Sequence, residues 1–89
     1  MAHMFIRHQV QDFDKWKPAY DSHQQARAAA GLKELHLWHN IDAPNEIVLL
    51  FEVSEVDKAR AFAESKDLKE RMAAAGVINT PEILFLSSS

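Results

Sequence analysis

Histidine is the residue type in this chain best suited to proton transfer near neutral pH, because its ordinary pKa is about 6.5. The chain has five histidines and no cysteine. His8 stands out because it lies in an alternating stretch with Phe5 and Ile6 that is typical of a strand. We predict His8 as the candidate catalytic residue, a base or acid in a pocket. The structural alternative is a buried histidine hydrogen-bonded to the backbone or to a carboxylate such as Glu52.

Aromatic residues and an arginine recur along the segment that follows. Trp16 and Tyr20 are one helical turn apart, and Arg27 falls on the same helix face. Together with Phe51 and Phe62 they could line a pocket for a flat aromatic ligand, whose anionic group Arg27 could bind. The alternative is that the aromatic residues are core residues packed on the sheet and that Arg27 belongs to the solvated surface.

The run His36-Leu37-Trp38-His39 contains two histidines three residues apart. On a helix such a pair could share a metal ion, but on a strand the two side chains point to opposite faces. Because this run is predicted to be a strand, we predict no metal site. His36 and Trp38 are instead predicted to face a cavity as ligand-binding residues.

Six elements are predicted to position these side chains. Asp12 and Asp14 suit a helix start, Gly31 a helix end, and Ser54 with Asp57 resembles a capping box. A second helical stretch is predicted to break near Ser65 and to stop at Gly76. The predicted elements are a strand over 4–10, a helix to about residue 30, strands over 33–41 and 46–54, helical segments over 56–75 and a strand over 82–86.

Both faces of the predicted central hairpin are largely apolar. If Ile41 faces Glu46 across the turn, His36 and Trp38 share a face with Ile47 and its alternating neighbours. Helices can cover one face of such a sheet, and the other face needs a second subunit. The sequence therefore predicts an α+β, ferredoxin-like βαββαβ sandwich with a four-stranded antiparallel sheet, acting as a homodimer.

Composition limits the function classes. The 89 residues are 47% hydrophobic and 26% charged with a net charge of −3, which indicates one folded domain and disfavours nucleic acid as a partner. No apolar run is long enough to span a bilayer, so we predict a cytoplasmic protein without a membrane partner. We predict a single domain over 4–86, a vector-derived remnant over 1–3 and a frayed tail over 87–89.

Motifs along nearly the whole chain resemble small bacterial dimeric α/β-barrel proteins, a superfamily that includes antibiotic-biosynthesis monooxygenases and cyclase-like proteins. The resemblance is carried by these motifs: His8-x-Val10-x-Asp12-Phe13-Asp14-x-Trp16-Lys17, Tyr20-Asp21, Asp42-x-Pro44-Asn45, Ala59-Arg60-x-Phe62, Ala75-Gly76-Val77 and Pro81-Glu82. It implies two sheets packed face to face into a barrel, with a pocket in each subunit between its sheet and helices.

The resemblance also implies two classes of function. One is a metal- and flavin-independent monooxygenase or cyclase that uses no cofactor and acts on an aromatic or polyketide-like compound. The other is a non-catalytic module that binds a small ligand or a partner. The haem-degrading members carry a helical histidine that has no counterpart in the second helical segment here, so haem degradation is disfavoured.

Overall fold

The computed structural model describes residues 1–88. Eight elements follow one another along the chain. They are β1 (Ala2–Gln9), α1 (Phe13–Ser22), α2 (Gln24–Ala29), β2 (Leu32–His39), β3 (Glu46–Val53), α3 (Val56–Ala63), α4 (Lys66–Ala74) and β4 (Glu82–Ser87).

The four strands form one antiparallel sheet in the order β2-β3-β1-β4. This order, with a helical segment after β1 and another after β3, is the predicted ferredoxin-like βαββαβ topology. The fold class predicted from the sequence is therefore confirmed. None of the helices within residues 1–88 is long and apolar enough to cross a membrane.

One face of the sheet, here called the covered face, carries the core. Along β3 every second residue is buried, which is the pattern of a strand with one face packed against other elements. Rows of paired residues run across the strands, and one covered row is Leu37, Leu49, Ile6 and Ile83. Trp16 of α1 and Ala59 of α3 are buried in the same core cluster.

The opposite face, here called the open face, is also apolar but is not packed against any helix of residues 1–88. Its central row is His36, Leu50, Phe5 and Leu84, one residue from each strand. Trp38, Leu84 and Leu86 are 44–47% exposed. The predicted sheet with two apolar faces is thus present, and helices cover one of them.

The register of the β2–β3 hairpin differs from the prediction by one residue. Asn40 N donates to Glu46 O at 2.9 Å, and Trp38 pairs with Val48 rather than lying on the Ile47 face. Because side chains alternate along a strand, a slip of one residue moves each of them to the other face. His36 and Trp38 therefore lie on the open face, and the prediction that grouped them with Ile47 is wrong.

The first predicted helix is two helices separated at His23. Asp12 caps α1 as predicted, because its side chain accepts from Asp14 N at 2.9 Å. At the other end, Arg27 Nη1 donates to Tyr20 O at 2.7 Å, and His23 N donates to the same carbonyl at 3.1 Å. In a continuous helix Tyr20 O would accept from Gln24 N. It accepts from Arg27 and His23 instead, so α1 ends at Ser22 and α2 begins at Gln24.

The predicted capping box at Ser54 is wrong, whereas the predicted break at Ser65 is present. The N-cap of α3 is Glu55, without a side-chain cap bond, and Ser54 Oγ donates instead to Gly31 O at 3.2 Å. Ser65 Oγ accepts from Leu68 N at 3.1 Å and so caps α4. Gly31 has a φ of +78°, which glycine adopts without steric cost.

The terminal residues extend the sheet. Ala2 pairs with both Val53 and Ser87, and Ser88 N donates to Met1 O at 3.1 Å. Residues 2 and 3 are therefore part of β1, and residue 87 is part of β4 rather than of a frayed tail. Ser89 lies outside the described residues, and the vector origin of residues 1–3 stays a prediction.

Candidate functional site

A cavity of about 70 Å³, here called the inner cavity, lies between the covered face and the helices. One water molecule needs about 10–15 Å³ by this measure, so there is room for several waters. Its lining is mostly apolar. The lining residues are Met4, Ile6, His8, Trp16, Ala19, Tyr20, His23, Arg27, Leu32, Leu49, Phe51, Phe62, Leu68, Arg71, Met72 and Ala75.

His8 lies in the wall of this cavity and is only 2% exposed. Its Nδ1 is buried and has no hydrogen-bond partner among residues 1–88. Glu52, the partner considered from the sequence, pairs with His3 at the far end of β1. Burial lowers the pKa of His8 below the ordinary 6.5, and the residue's own backbone opposes this shift in part. His8 is thus a neutral imidazole with an unused polar atom.

A stack of rings runs along the helix side of the cavity. The Trp16 ring lies 4.7 Å from the Tyr20 ring in a stacked arrangement and 5.5 Å from the His8 ring edge-on. The Arg27 guanidinium carbon lies 3.7 Å from the centre of the Tyr20 ring, a cation–π contact. The predicted helix face of Trp16, Tyr20 and Arg27 therefore forms one continuous wall.

Tyr20 is held as a neutral phenol at the edge of this wall. Its hydroxyl donates to Glu34 Oε1 at 2.6 Å. Burial, followed by the bond to Glu34, raises the pKa of Tyr20 far above its ordinary value. Because that hydroxyl is already committed to a carboxylate, Tyr20 is a wall residue rather than a proton donor to a ligand.

Two residues at the cavity mouth were not selected from the sequence. Arg71 Nη1 contacts His23 Nε2, and Arg71 Nε pairs with Asp67 Oδ2 at 3.0 Å. Burial lowers the pKa of His23, and the positive charges of Arg71 and Arg27 lower it further, while Asp67 opposes them. His23 and Arg71 are 48 positions apart in sequence, so no local sequence pattern predicts their contact. A usable signal was that Arg71 interrupts the apolar stripe of α4.

The structure brings together most of the predicted site residues but not all of them. His8, Trp16, Tyr20, Arg27, Phe51 and Phe62 line the inner cavity. His36 and Trp38 stack on each other, with ring centres 4.6 Å apart, on the open face and outside this cavity. They do not line the inner cavity, because the hairpin register places them on the other side of the sheet.

The two histidines of β2 do not converge on one point. His36 pairs with Leu50 on the open face, whereas His39 stacks on Phe13 of α1 with ring centres 4.8 Å apart. A strand places residues three apart on opposite faces, as expected from the sequence. Within residues 1–88 no group of three or more histidine, aspartate or glutamate side chains is arranged to hold a metal ion.

Comparisons with known proteins give similarity in structure alone. No protein-family model matches the sequence, and no curated protein is a significant match. A crystal structure of an antibiotic biosynthesis monooxygenase is similar over 100% of this chain and 99% of that chain, with a TM-score of 0.74 and 10% identity. A variant of SnoaB, a cofactor-independent oxygenase from Streptomyces nogalater, has a TM-score of 0.72 and 15% identity over 98% of this chain and 91% of that one.

The same fold also occurs in a protein of another description. An uncharacterized NIPSNAP domain protein from Burkholderia xenovorans has a TM-score of 0.67 and 9% identity, over 100% of this chain and 95% of that one. Identities this low establish the fold and leave the reaction open. The fold implied by the sequence resemblance is thereby confirmed: this chain has a ferredoxin-like fold that is also found in an antibiotic biosynthesis monooxygenase and in SnoaB.

Proposed function

We propose that this protein binds a small, flat, acidic aromatic compound in the inner cavity and that His8 removes a proton from it. One observation carries the proposal. His8 is a buried, neutral histidine in the cavity wall, and its Nδ1 has no hydrogen-bond partner among residues 1–88. A buried polar atom without a partner costs free energy, so such a group is typical of a site where a ligand supplies the partner.

The lowered pKa of His8 suits a base. A histidine that is unprotonated at neutral pH has one ring nitrogen with a free lone pair, which can accept a proton from an O–H or an activated C–H. The surrounding apolar wall keeps water from competing for that proton. Trp16, which contacts His8 edge-on, adds an aromatic ring to the cavity wall beside it.

Oxygenation without metal or flavin is the reaction that this arrangement supports best. Removal of a proton from a hydroxyaromatic ring with an activated CH₂ group leaves an electron-rich anion that molecular oxygen can oxidise. The CH₂ group becomes a carbonyl, one oxygen atom enters the product and the other leaves as water. SnoaB, which shares the fold, is a cofactor-independent oxygenase, and this supports the assignment by analogy. Base-catalysed cyclisation of a polyketide-like compound needs the same first step and no oxygen.

We also propose that two copies associate through their open faces. The open face displays Phe5, Trp38, Leu84 and Leu86, which is more exposed apolar surface than a sheet face usually leaves in water. A second copy presents the same surface, so a symmetric pair buries both. Under this arrangement His36 and Trp38 lie between the two sheets.

A non-catalytic binding module on the same fold is the second candidate. The unpartnered Nδ1 of His8 is compatible with it, because a hydrogen bond from a ligand satisfies that atom without any proton transfer. Under this alternative the cavity opens to hold a ligand, and His8 only hydrogen-bonds to it.

Turnover of a panel of hydroxyaromatic compounds by wild-type protein and by His8→Gln tests the proposal. We expect the substitution to lower the turnover rate by about 100-fold or more, because glutamine fills the space but cannot accept the proton. His36→Gln is the matched control, since His36 lies on the other side of the sheet. Equal turnover by wild type and His8→Gln would remove His8 from the mechanism. Strong thermal stabilisation by a compound that is never consumed would favour the binding module.

A further inference from the structure

The lining of the inner cavity carries positive charge without any negative charge. Two arginines and two histidines line it, and no aspartate or glutamate among residues 1–88 does. Arg27 and Arg71 approach it from different elements, α2 and α4. Protein cavities with unbalanced charge are typical of sites that bind a ligand of the opposite sign.

Arg27 is unusual because it is a buried guanidinium without an ion pair. It is 9% exposed, and it takes part in none of the ion pairs found among residues 1–88. Its described contacts are the Tyr20 ring, 3.7 Å from the guanidinium carbon, and the Tyr20 carbonyl, 2.7 Å from Nη1. A guanidinium has five N–H donors, and the described hydrogen bond to Tyr20 uses one of them, so Arg27 has donors that can bind an anion.

Arg71 completes the arrangement at the mouth. It is half exposed, with a side-chain exposure of 50%, and its Nε pairs with Asp67 at 3.0 Å. Its Nη1 faces the His23 ring instead of a carboxylate. Two positive groups and a neutral imidazole therefore surround the entrance. A guanidinium can bind a carboxylate through two parallel hydrogen bonds, so Arg71 is suited to bind the carboxylate of a ligand at the mouth.

The opposite end of the cavity has a different character. His8 and Trp16 lie there, at the end of the ring stack away from Arg27, with ring centres 5.5 Å apart, and both are at most 3% exposed. A ligand that suits both ends has an apolar ring at one side and an anionic group at the other. The small volume favours a compact molecule of this kind.

We propose that the ligand of the inner cavity is an aromatic carboxylate, whose carboxylate binds at the mouth between Arg27 and Arg71 while its ring lies toward Trp16 and His8. This inference rests on the proposed function, since it defines the substrate class of the same cavity. The incoming carboxylate replaces His23 as the partner of Arg71 Nη1. The arginines then select the ligand by charge, and His8 acts on its ring.

A matched pair of probes tests the inference. Salicylate and methyl salicylate share the same hydroxyaromatic ring and differ in the negative charge. Calorimetric titration of wild-type protein should show salicylate binding about tenfold or more tightly than the ester, because a charge-assisted hydrogen bond is lost in the ester. Added salt should weaken binding of salicylate more than binding of the ester.

Substitutions then locate the charge. Arg71→Gln should weaken salicylate about tenfold, so that its affinity approaches that of the ester, and should leave the ester unchanged; Arg71→Glu should weaken salicylate further. Lys69→Gln is the matched control, because it removes the same charge from the same helix at a residue that does not line the cavity. We expect Lys69→Gln to bind both probes like wild type.

Some outcomes would overturn the inference without touching the proposed function. If methyl salicylate binds as tightly as salicylate, or if Arg71→Gln and Lys69→Gln weaken salicylate equally, the cavity does not select an anion. The same conclusion follows if neither probe binds at millimolar concentration. The role of His8 is judged separately by the turnover of His8→Gln on the hydroxyaromatic panel, so the two failures can be told apart.

Discussion

Both faces of the sheet carry a row of large apolar side chains, but helices cover the row on one face only. Leu49 and Leu50 are neighbours on β3, yet Leu49 is 2% exposed beneath the helices and Leu50 belongs to the row that no helix covers. Both faces are apolar because β1 and β3 alternate between two sets of large side chains. The positions of the helices therefore determine which face of the sheet can carry a functional site. Only the covered face has helices that can carry Trp16, Arg27 and Arg71 to one cavity.

The largest expected difference between the faces is in stability. Leu49→Ala removes a buried side chain and should lower the free energy of unfolding by about 2–5 kcal/mol. Leu50→Ala changes the same side chain on the open face and should cost the isolated chain about 1 kcal/mol or less. Urea denaturation at low protein concentration measures both. Equal losses would mean that the two faces are not distinct in the monomer.

The next prediction concerns association through the open face. Light scattering of the wild-type protein should give about 20 kDa, twice the chain mass of 10.1 kDa. Leu84→Lys places a charge in the apolar row of the open face, on the edge strand β4, and should return the mass to that of one chain. Ile78→Lys is the control, because Ile78 is 63% exposed and lies outside the strands. A wild-type monomer at micromolar concentration would contradict the proposed dimer.

A smaller effect is expected at the edge of the covered face. Tyr20→Phe removes the hydroxyl that donates to Glu34 Oε1 and should lower the free energy of unfolding by about 1 kcal/mol. Glu34→Gln retains an oxygen acceptor for that hydroxyl and should cost less. Thermal unfolding of the two variants and the wild type compares them. A larger loss for Glu34→Gln would show that the hydroxyl is not the important partner.

The smallest expected effect is a change in the pH dependence of stability. The pKa of His8 is lower in the folded chain than the ordinary 6.5, so the unfolded chain binds more protons and stability is lost as the pH falls below about 6.5. His23 acts in the same direction. His8→Gln should therefore make the melting temperature less dependent on pH between 7 and 5. An unchanged slope in His8→Gln would contradict a buried neutral imidazole.

Periodicity was sufficient to predict the four strands, the two helical regions and their order along the chain. Alternation predicted the strands, three- and four-residue spacing predicted the helix faces, and Asp12 and Ser65 were found as caps. The helix face of Trp16, Tyr20 and Arg27 was predicted for the same reason. Local spacing fixes which side chains share a helix face, whatever the helix packs against.

The hairpin register and the cavity mouth could not be obtained in this way. The register depends on the loop between β2 and β3, where Asn40 rather than Ile41 pairs with Glu46. This difference of one residue in the register places His36 and Trp38 on the open face. The contact between His23 and Arg71 depends on how α4 packs beside the break after α1, and no local pattern encodes that packing.

The two tryptophans make the two faces separately visible to fluorescence. Trp16 is 3% exposed beside His8, whereas Trp38 is 47% exposed on the open face. Each indole senses its own surroundings, so a ligand that enters the cavity should change the emission of Trp16, and association of two sheets should shift that of Trp38 to shorter wavelength. With Trp16→Phe and Trp38→Phe as single-reporter variants, occupancy and assembly can be followed independently in one unlabelled protein.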